Sequence, residues 1–133
     1  MLLPTIIDRV ADNGYCIVDN FLPKQQSQAL YDYSQQLPAQ YWNMAGIGRQ
    51  QSQTINTMVR NDRIYWLTPD QPEHADYLAI MEELRVEFNR SLFMGLFDYE
   101  CHLAHYPNGA FYKKHLDAFK GRSNRVLTTV FYL

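Results

Sequence analysis

The chain has 133 residues, a formal net charge of -2, and 47% hydrophobic and 14% aromatic residues. That composition excludes a disordered chain, its length supports one domain with one core, and its acidic balance argues against a general nucleic-acid binder. No run approaches the roughly 20 apolar residues of a membrane span, and Met-Leu-Leu-Pro is too short to open a signal peptide, so no membrane association is expected. Cys16 and Cys101 lie far apart and make no disulfide framework, which leaves a reducing cytoplasm as the simplest home.

In chain order, residues 5–13 read as a short helix capped by Thr5, with Ile6, Ile7 and Val10 on its apolar face and Gly14 just past its end. Tyr15 to Asp19 is aromatic and β-branched, a strand pattern. Leu22-Pro23 opens a second helix, whose stripe runs through Gln26, Leu30, Tyr33 and Leu37 until Pro38 stops it. From Tyr41 to Thr57 periodicity dissolves, and the glycine-punctuated polar run from Ala45 to Gln53 reads as a long mobile loop. A third helix is expected from Glu73 to Met94, with Tyr77, Met81, Leu84, Phe88 and Leu92 as its core stripe and Gly95 ending it.

Beyond it, Tyr99 to Tyr106 alternates as a strand, with Glu100, His102, Ala104 and Tyr106 on one face and Tyr99, Cys101, Leu103 and His105 on the other. Pro107-Asn-Gly109 turns the chain into a strand from Phe111 to Asp117. On such a strand His115 and Asp117 share a face, roughly 7 Å apart at Cα, so one imidazole nitrogen and one carboxylate oxygen can reach a single cation. That pair supplies two members of the facial triad that binds Fe(II) with positions left open. Alone it is also what a solvated strand end looks like. His102 and His105 read more simply as hydrogen-bonded sheet residues than as further ligands. The connection from Ala118 to Asn124 is polar and basic, a solvated loop or an attractor of anions. A last strand runs from Arg125 to Leu133, with Val126, Thr128, Val130 and Tyr132 on one face.

The ordering Tyr106-Pro-Asn-Gly109, an aromatic pair, His115-Leu-Asp117 and an Arg-led strand closing in Tyr132-Leu133 resembles the prolyl hydroxylase branch of the Fe(II)- and 2-oxoglutarate-dependent dioxygenases. Val59-Arg-Asn-Asp-Arg-Ile-Tyr-Trp-Leu67 is similar to the Ile-Arg-Gly-Asp-Lys-Ile-x-Trp-Ile stretch of the hypoxia-inducible-factor prolyl hydroxylases and their bacterial relatives. Asn61 replaces the usual Gly there, and Asn tolerates the left-handed backbone that Gly adopts. Arg60 and Asp62 read either as part of that motif or as a surface salt bridge or turn.

The resemblance implies an α+β fold, helices packed on a double-stranded β-helix of the jelly-roll or cupin-like kind. It implies that His115 and Asp117 are catalytic as ligands of Fe(II), with 2-oxoglutarate as co-substrate and dioxygen as oxidant, and it admits L-ascorbate beside them. Tyr106 matches the tyrosine that contacts the proximal end of 2-oxoglutarate, and Tyr132 the one that bonds its distal carboxylate; Thr128, on the same face as Tyr132, is counted with them. As plain chemistry each phenol can donate to a carboxylate, and as plain structure each can be a core ring with a wet tip. The loop before Val59 folds over the protein substrate in that family. The implied substrate is a protein or peptide containing proline.

No histidine follows His115 and no arginine follows Arg125, so the family's third ligand and its basic co-substrate anchor are expected beyond Leu133. Residues 1–133 are therefore expected to form a single domain, the N-terminal part of an oxygenase domain with an incomplete β-helix, inactive by itself and prone to self-associate through an open sheet edge. Two other readings stay open: a non-catalytic protein-binding module, and an oxygenase of a free amino acid or other small molecule.

Overall fold

Three α-helices and the strands of a small antiparallel sheet interleave along the chain in the computed structural model, which describes residues 2–44, 60–115 and 126–133. The chain divides into two units, one comprising Met1–Tyr33, Thr68–Cys101 and Leu133, the other Ser34–Leu67 and His102–Tyr132.

The first unit is helical. Helix α1, Leu2–Asn13, begins earlier than expected and buries Ile6 and Ile7. Pro4 sits in its first turn, where a missing N–H costs no intrahelical bond, so the helix runs through it and Thr5 lies inside it. Gly14 ends it as the sequence requires, with φ +82° and its N–H donating to the Val10 carbonyl at 2.8 Å.

Tyr15 to Asp19, expected as a strand, is irregular, with Tyr15 66% and Ile17 75% exposed. No described residue pairs with it. A β-branched run takes strand geometry only where a partner edge and a half-buried face favour it. Helix α2, Lys24–Gln36, follows Pro23, whose carbonyl accepts the N–H groups of Gln26 and Ser27 at 3.0 and 3.1 Å.

Helix α3, Pro72–Leu92, carries the core. His74, Leu78, Met81, Leu84 and Phe88 recur at helical spacing and are buried. Leu22 and Leu30 are buried in the same unit, where α1 packs against α3. Each apolar side chain among them contributes about 1.5–3 kcal/mol by leaving water.

The helix stops at Phe93, not Gly95. Phe93 itself takes the left-handed cap, φ 54°, and its N–H reaches the Asn89 carbonyl at 3.0 Å. An L-residue there is strained by about 1–2 kcal/mol. The compensation comes from Asn89, whose amide accepts the Leu96 N–H at 2.6 Å and donates to the Leu96 carbonyl at 2.7 Å, where Arg85 also donates at 2.7 Å.

The second unit holds strands β1, Asn43–Met44, β2, Arg63–Trp66, and β3, His102–His105, in the antiparallel order β1-β2-β3. The pairs Arg63↔His105, Ile64↔Ala104, Tyr65↔Leu103 and Trp66↔His102 set the register. Ile64 is buried on one face of this sheet and Leu103 on the other. The expected turn follows β3: the Ala110 N–H donates to the Pro107 carbonyl at 2.8 Å and Gly109 takes φ +83°.

Beyond the turn, the strand expected from Phe111 onward is reduced, among the described residues, to a single bridge between Tyr112 and Arg60. The described part of the last expected strand, residues 126–133, joins no ladder among the described residues. Its Val126, Val130 and Tyr132 are exposed. The expected loop from Ala45 to Gln53, and Asp117 with the basic connection after it, lie outside the described residues. No helix among the described residues is long and apolar enough to cross a membrane.

Candidate active site

The site begins with strand register. One step beyond the Arg63↔His105 pair, Asp62 stands opposite Tyr106, on the face that Ile64 and Ala104 occupy. Asp62 is fully buried. A carboxylate in that position needs partners, and it has a cation and a phenol.

The Arg60 guanidinium, on the same strand face two residues earlier, grips Asp62 with both ends of its fork, Nε to Oδ1 at 2.8 Å and Nη2 to Oδ2 at 2.6 Å. The Tyr106 hydroxyl bonds the same carboxylate. Burial, and then the neighbouring Asp62 charge, hold the Tyr106 phenol above its ordinary pKa, so it stays protonated and acts as a donor. Burial works against the Arg60 charge, but Asp62 outweighs it and keeps the guanidinium above its ordinary value.

This is a buried bidentate pair, which settles one of the two readings left open above: Arg60 and Asp62 are not a surface salt bridge.

Asn61 joins the stretch to the segment after the Pro107 turn. Its N–H donates to the Phe111 carbonyl at 3.1 Å and its side-chain oxygen accepts the Phe111 N–H at 2.8 Å. The left-handed backbone expected at Asn61 is not adopted; among described non-glycine residues only Asn20 and Phe93 have positive φ. What Asn supplies here is an amide acceptor, which a glycine lacks.

That clamp brings Tyr112 over Arg60, whose guanidinium carbon lies 3.8 Å from the ring centroid. His115 stacks on Tyr112 with centroids 3.6 Å apart and planes within 8°. Two groups that close to one centroid cannot share a face, so Arg60 and His115 sandwich the phenol ring.

The His115 Nδ1 lies 2.8 Å from the Lys113 carbonyl. A carbonyl only accepts, so Nδ1 carries a proton, which leaves Nε2 as the nitrogen through which a histidine so held binds a metal. On this ground His115 fits a metal ligand. Among the described residues no three His, Cys, Asp or Glu side chains gather to hold an ion, and Asp117, the other ligand expected from the sequence, lies outside them.

Tyr132 is 89% exposed and Thr128 is exposed, both on the segment without a ladder. His102 packs edge-on against Trp66 at 5.0 Å and His105 lies tilted against Trp42 at 5.8 Å, as sheet residues do. Cys101 is no thiolate donor: burial, then Glu100, push its thiol up to about 11.

The structure thus links Tyr106 and His115, two of the residues expected from the sequence, through Asp62, Arg60 and Tyr112. Arg60 and Asp62 had a sequence signal in their motif, but Tyr112 had none beyond being aromatic.

A buried ion pair on a sheet beside a Tyr-Pro-x-Gly turn and an exposed, oriented histidine is the frame on which the comparisons bear. No family model matches the chain, and no curated protein matches it. Among solved structures the chain is similar to the crystal structure of a Pseudomonas putida prolyl-4-hydroxylase, with 38% identity and a TM-score of 0.80 over 89% of this chain. The chain spans 62% of that neighbour's length. The likeness supports a prolyl hydroxylase-like family for this chain, in agreement with the resemblance carried by its motifs.

Proposed function

We propose that the complete protein is an Fe(II)- and 2-oxoglutarate-dependent dioxygenase that hydroxylates prolyl residues of a protein substrate. The observation that carries the reading is the 38% identity, at a TM-score of 0.80, to a prolyl-4-hydroxylase. The oriented imidazole of His115 supports it independently.

In this reading residues 1–133 are the N-terminal part of the oxygenase domain, the sheet β1-β2-β3 belongs to a double-stranded β-helix, and this part alone turns over no 2-oxoglutarate. His115 and Asp117 would hold the iron, which with 2-oxoglutarate supplies the activation of dioxygen. Tyr106 is the proposed contact of the proximal end of 2-oxoglutarate, its phenol held in place by the bond that its hydroxyl gives Asp62. Tyr132 and Thr128 are proposed contacts of the distal carboxylate of 2-oxoglutarate. L-ascorbate is a proposed further cofactor beside iron and 2-oxoglutarate.

The test is succinate production by the complete protein with a proline-containing peptide, iron and 2-oxoglutarate. His115→Ala and Asp117→Ala are each expected to abolish it. Turnover by either variant at the wild-type rate would remove the ligand assignment. A free amino acid outcompeting every peptide would replace the protein substrate by a small one.

A further inference from the structure

We propose that Arg60 and Tyr112 are positioning residues: the guanidinium backs one face of the Tyr112 ring, and the other face of that ring sets the plane of the His115 imidazole. The proposal rests on the reading of His115 as a metal ligand and goes beyond it, because neither residue is assigned to metal or co-substrate.

The argument is one of counting constraints. His115 is exposed, and an exposed imidazole ordinarily changes rotamer on the picosecond to nanosecond scale. Two contacts among the described residues oppose that here. The stack on Tyr112, with planes within 8°, fixes the ring plane. The 2.8 Å bond from Nδ1 to the Lys113 carbonyl fixes rotation within that plane, and so the direction of Nε2.

A tyrosine can act as such a plate only if it is itself held. Its second face lies against the Arg60 guanidinium at 3.8 Å, and that planar group is locked by two bonds to a carboxylate with no exposure to water. The main-chain bridge between Arg60 and Tyr112 and the Asn61 clamp on Phe111 hold the two backbones in the same register. Lysine would not serve in place of Arg60, because an ammonium has neither the flat face nor the fork. The same carboxylate accepts from Tyr106, so Asp62 orients a residue on each side of the site at once.

The experiment uses the complete protein and two readouts, proton NMR of the His115 ring without metal and Mn(II) affinity. Stacking should displace the His115 ring protons upfield of a free histidine. In Arg60→Leu and Tyr112→Leu that displacement should disappear and Mn(II) binding should weaken about 10–100-fold, the usual effect of losing a group that orients a ligand. Tyr112→Phe, which keeps the plate, should restore both. Tyr112 is only partly buried, so Tyr112→Leu decides the matter if Arg60→Leu does not fold. Unchanged His115 shifts or unchanged Mn(II) affinity in folded Tyr112→Leu would overturn the proposal. Failure of the wild-type protein to bind Mn(II) would overturn the ligand reading itself and, with it, the proposal; the ring shifts distinguish the two failures.

Discussion

Replacing Asp62 by leucine should destabilise the protein by about 3 kcal/mol, at the low end of the range for removing one member of a buried ion pair. The carboxylate is 0% exposed and accepts two charge-assisted bonds from Arg60, at 2.8 and 2.6 Å. Bonds of that kind contribute about 1.5–3 kcal/mol each, which bounds the loss at about 3–6 kcal/mol. The Arg60 side chain is 11% exposed and so recovers some water when its partner goes, which pulls the value to the lower bound.

The larger part of this cost is an orphaned charge, not a missing attraction. Arg60→Leu combined with Asp62→Leu should therefore cost less than the two single changes added together, with a coupling of about 2 kcal/mol. Urea unfolding followed by tryptophan fluorescence, with slopes compared across the series, measures all three. A loss below about 1 kcal/mol for Asp62→Leu, with additive singles, is what an exposed pair would give, and it would refute the buried clamp.

Phe88→Ala, at the best-buried hydrophobic position of α3 with 2% exposure, should cost about 3–5 kcal/mol in the same unfolding assay. His74 is enclosed, and burial lowers its pKa from the ordinary 6.5, so the unfolded chain binds the proton more tightly. Stability should accordingly be full above about pH 6.5 and fall as the pH drops below it, and His74→Gln should flatten that slope in urea melts between pH 5 and 8. Cys101, with its thiol pushed up to about 11, should alkylate slowly at pH 7.5 and progressively faster as the pH is raised, as mass spectrometry of iodoacetamide-treated protein would show.

The helices were largely legible because their signals are local. The α1 stripe with Gly14 behind it, Pro23 ahead of α2 and the long stripe of α3 each lie within one stretch of chain. What went astray at α3 was its end. Gly95 was the better-looking cap, but Asn89 and Arg85 converge on the Leu96 main chain and hold the left-handed turn two residues earlier, at Phe93. Strands fared worse for the opposite reason. Tyr15 to Asp19 and residues 126–133 have the composition of strands, yet composition says nothing of whether an edge is there to pair with.

The same distinction explains the site. Alternation alone puts Arg60, Asp62 and Ile64 on one face of their strand and Ala104 and Tyr106 on one face of another. It cannot say that these two faces are the same one. That follows only from the pairing of Arg63 with His105, since a shift of a single residue would turn Tyr106 away from Asp62 and leave a carboxylate buried with half its partners. The buried carboxylate in turn makes such a slip costly, because Arg60 moves with Asp62 on the same strand while the phenol that completes the bonding of Asp62 is lost. Arg60 and Asp62 therefore act on the fold and on the site by one mechanism: the pair selects the register, and the register delivers Tyr106 to one side of the pair and the Tyr112–His115 stack to the other.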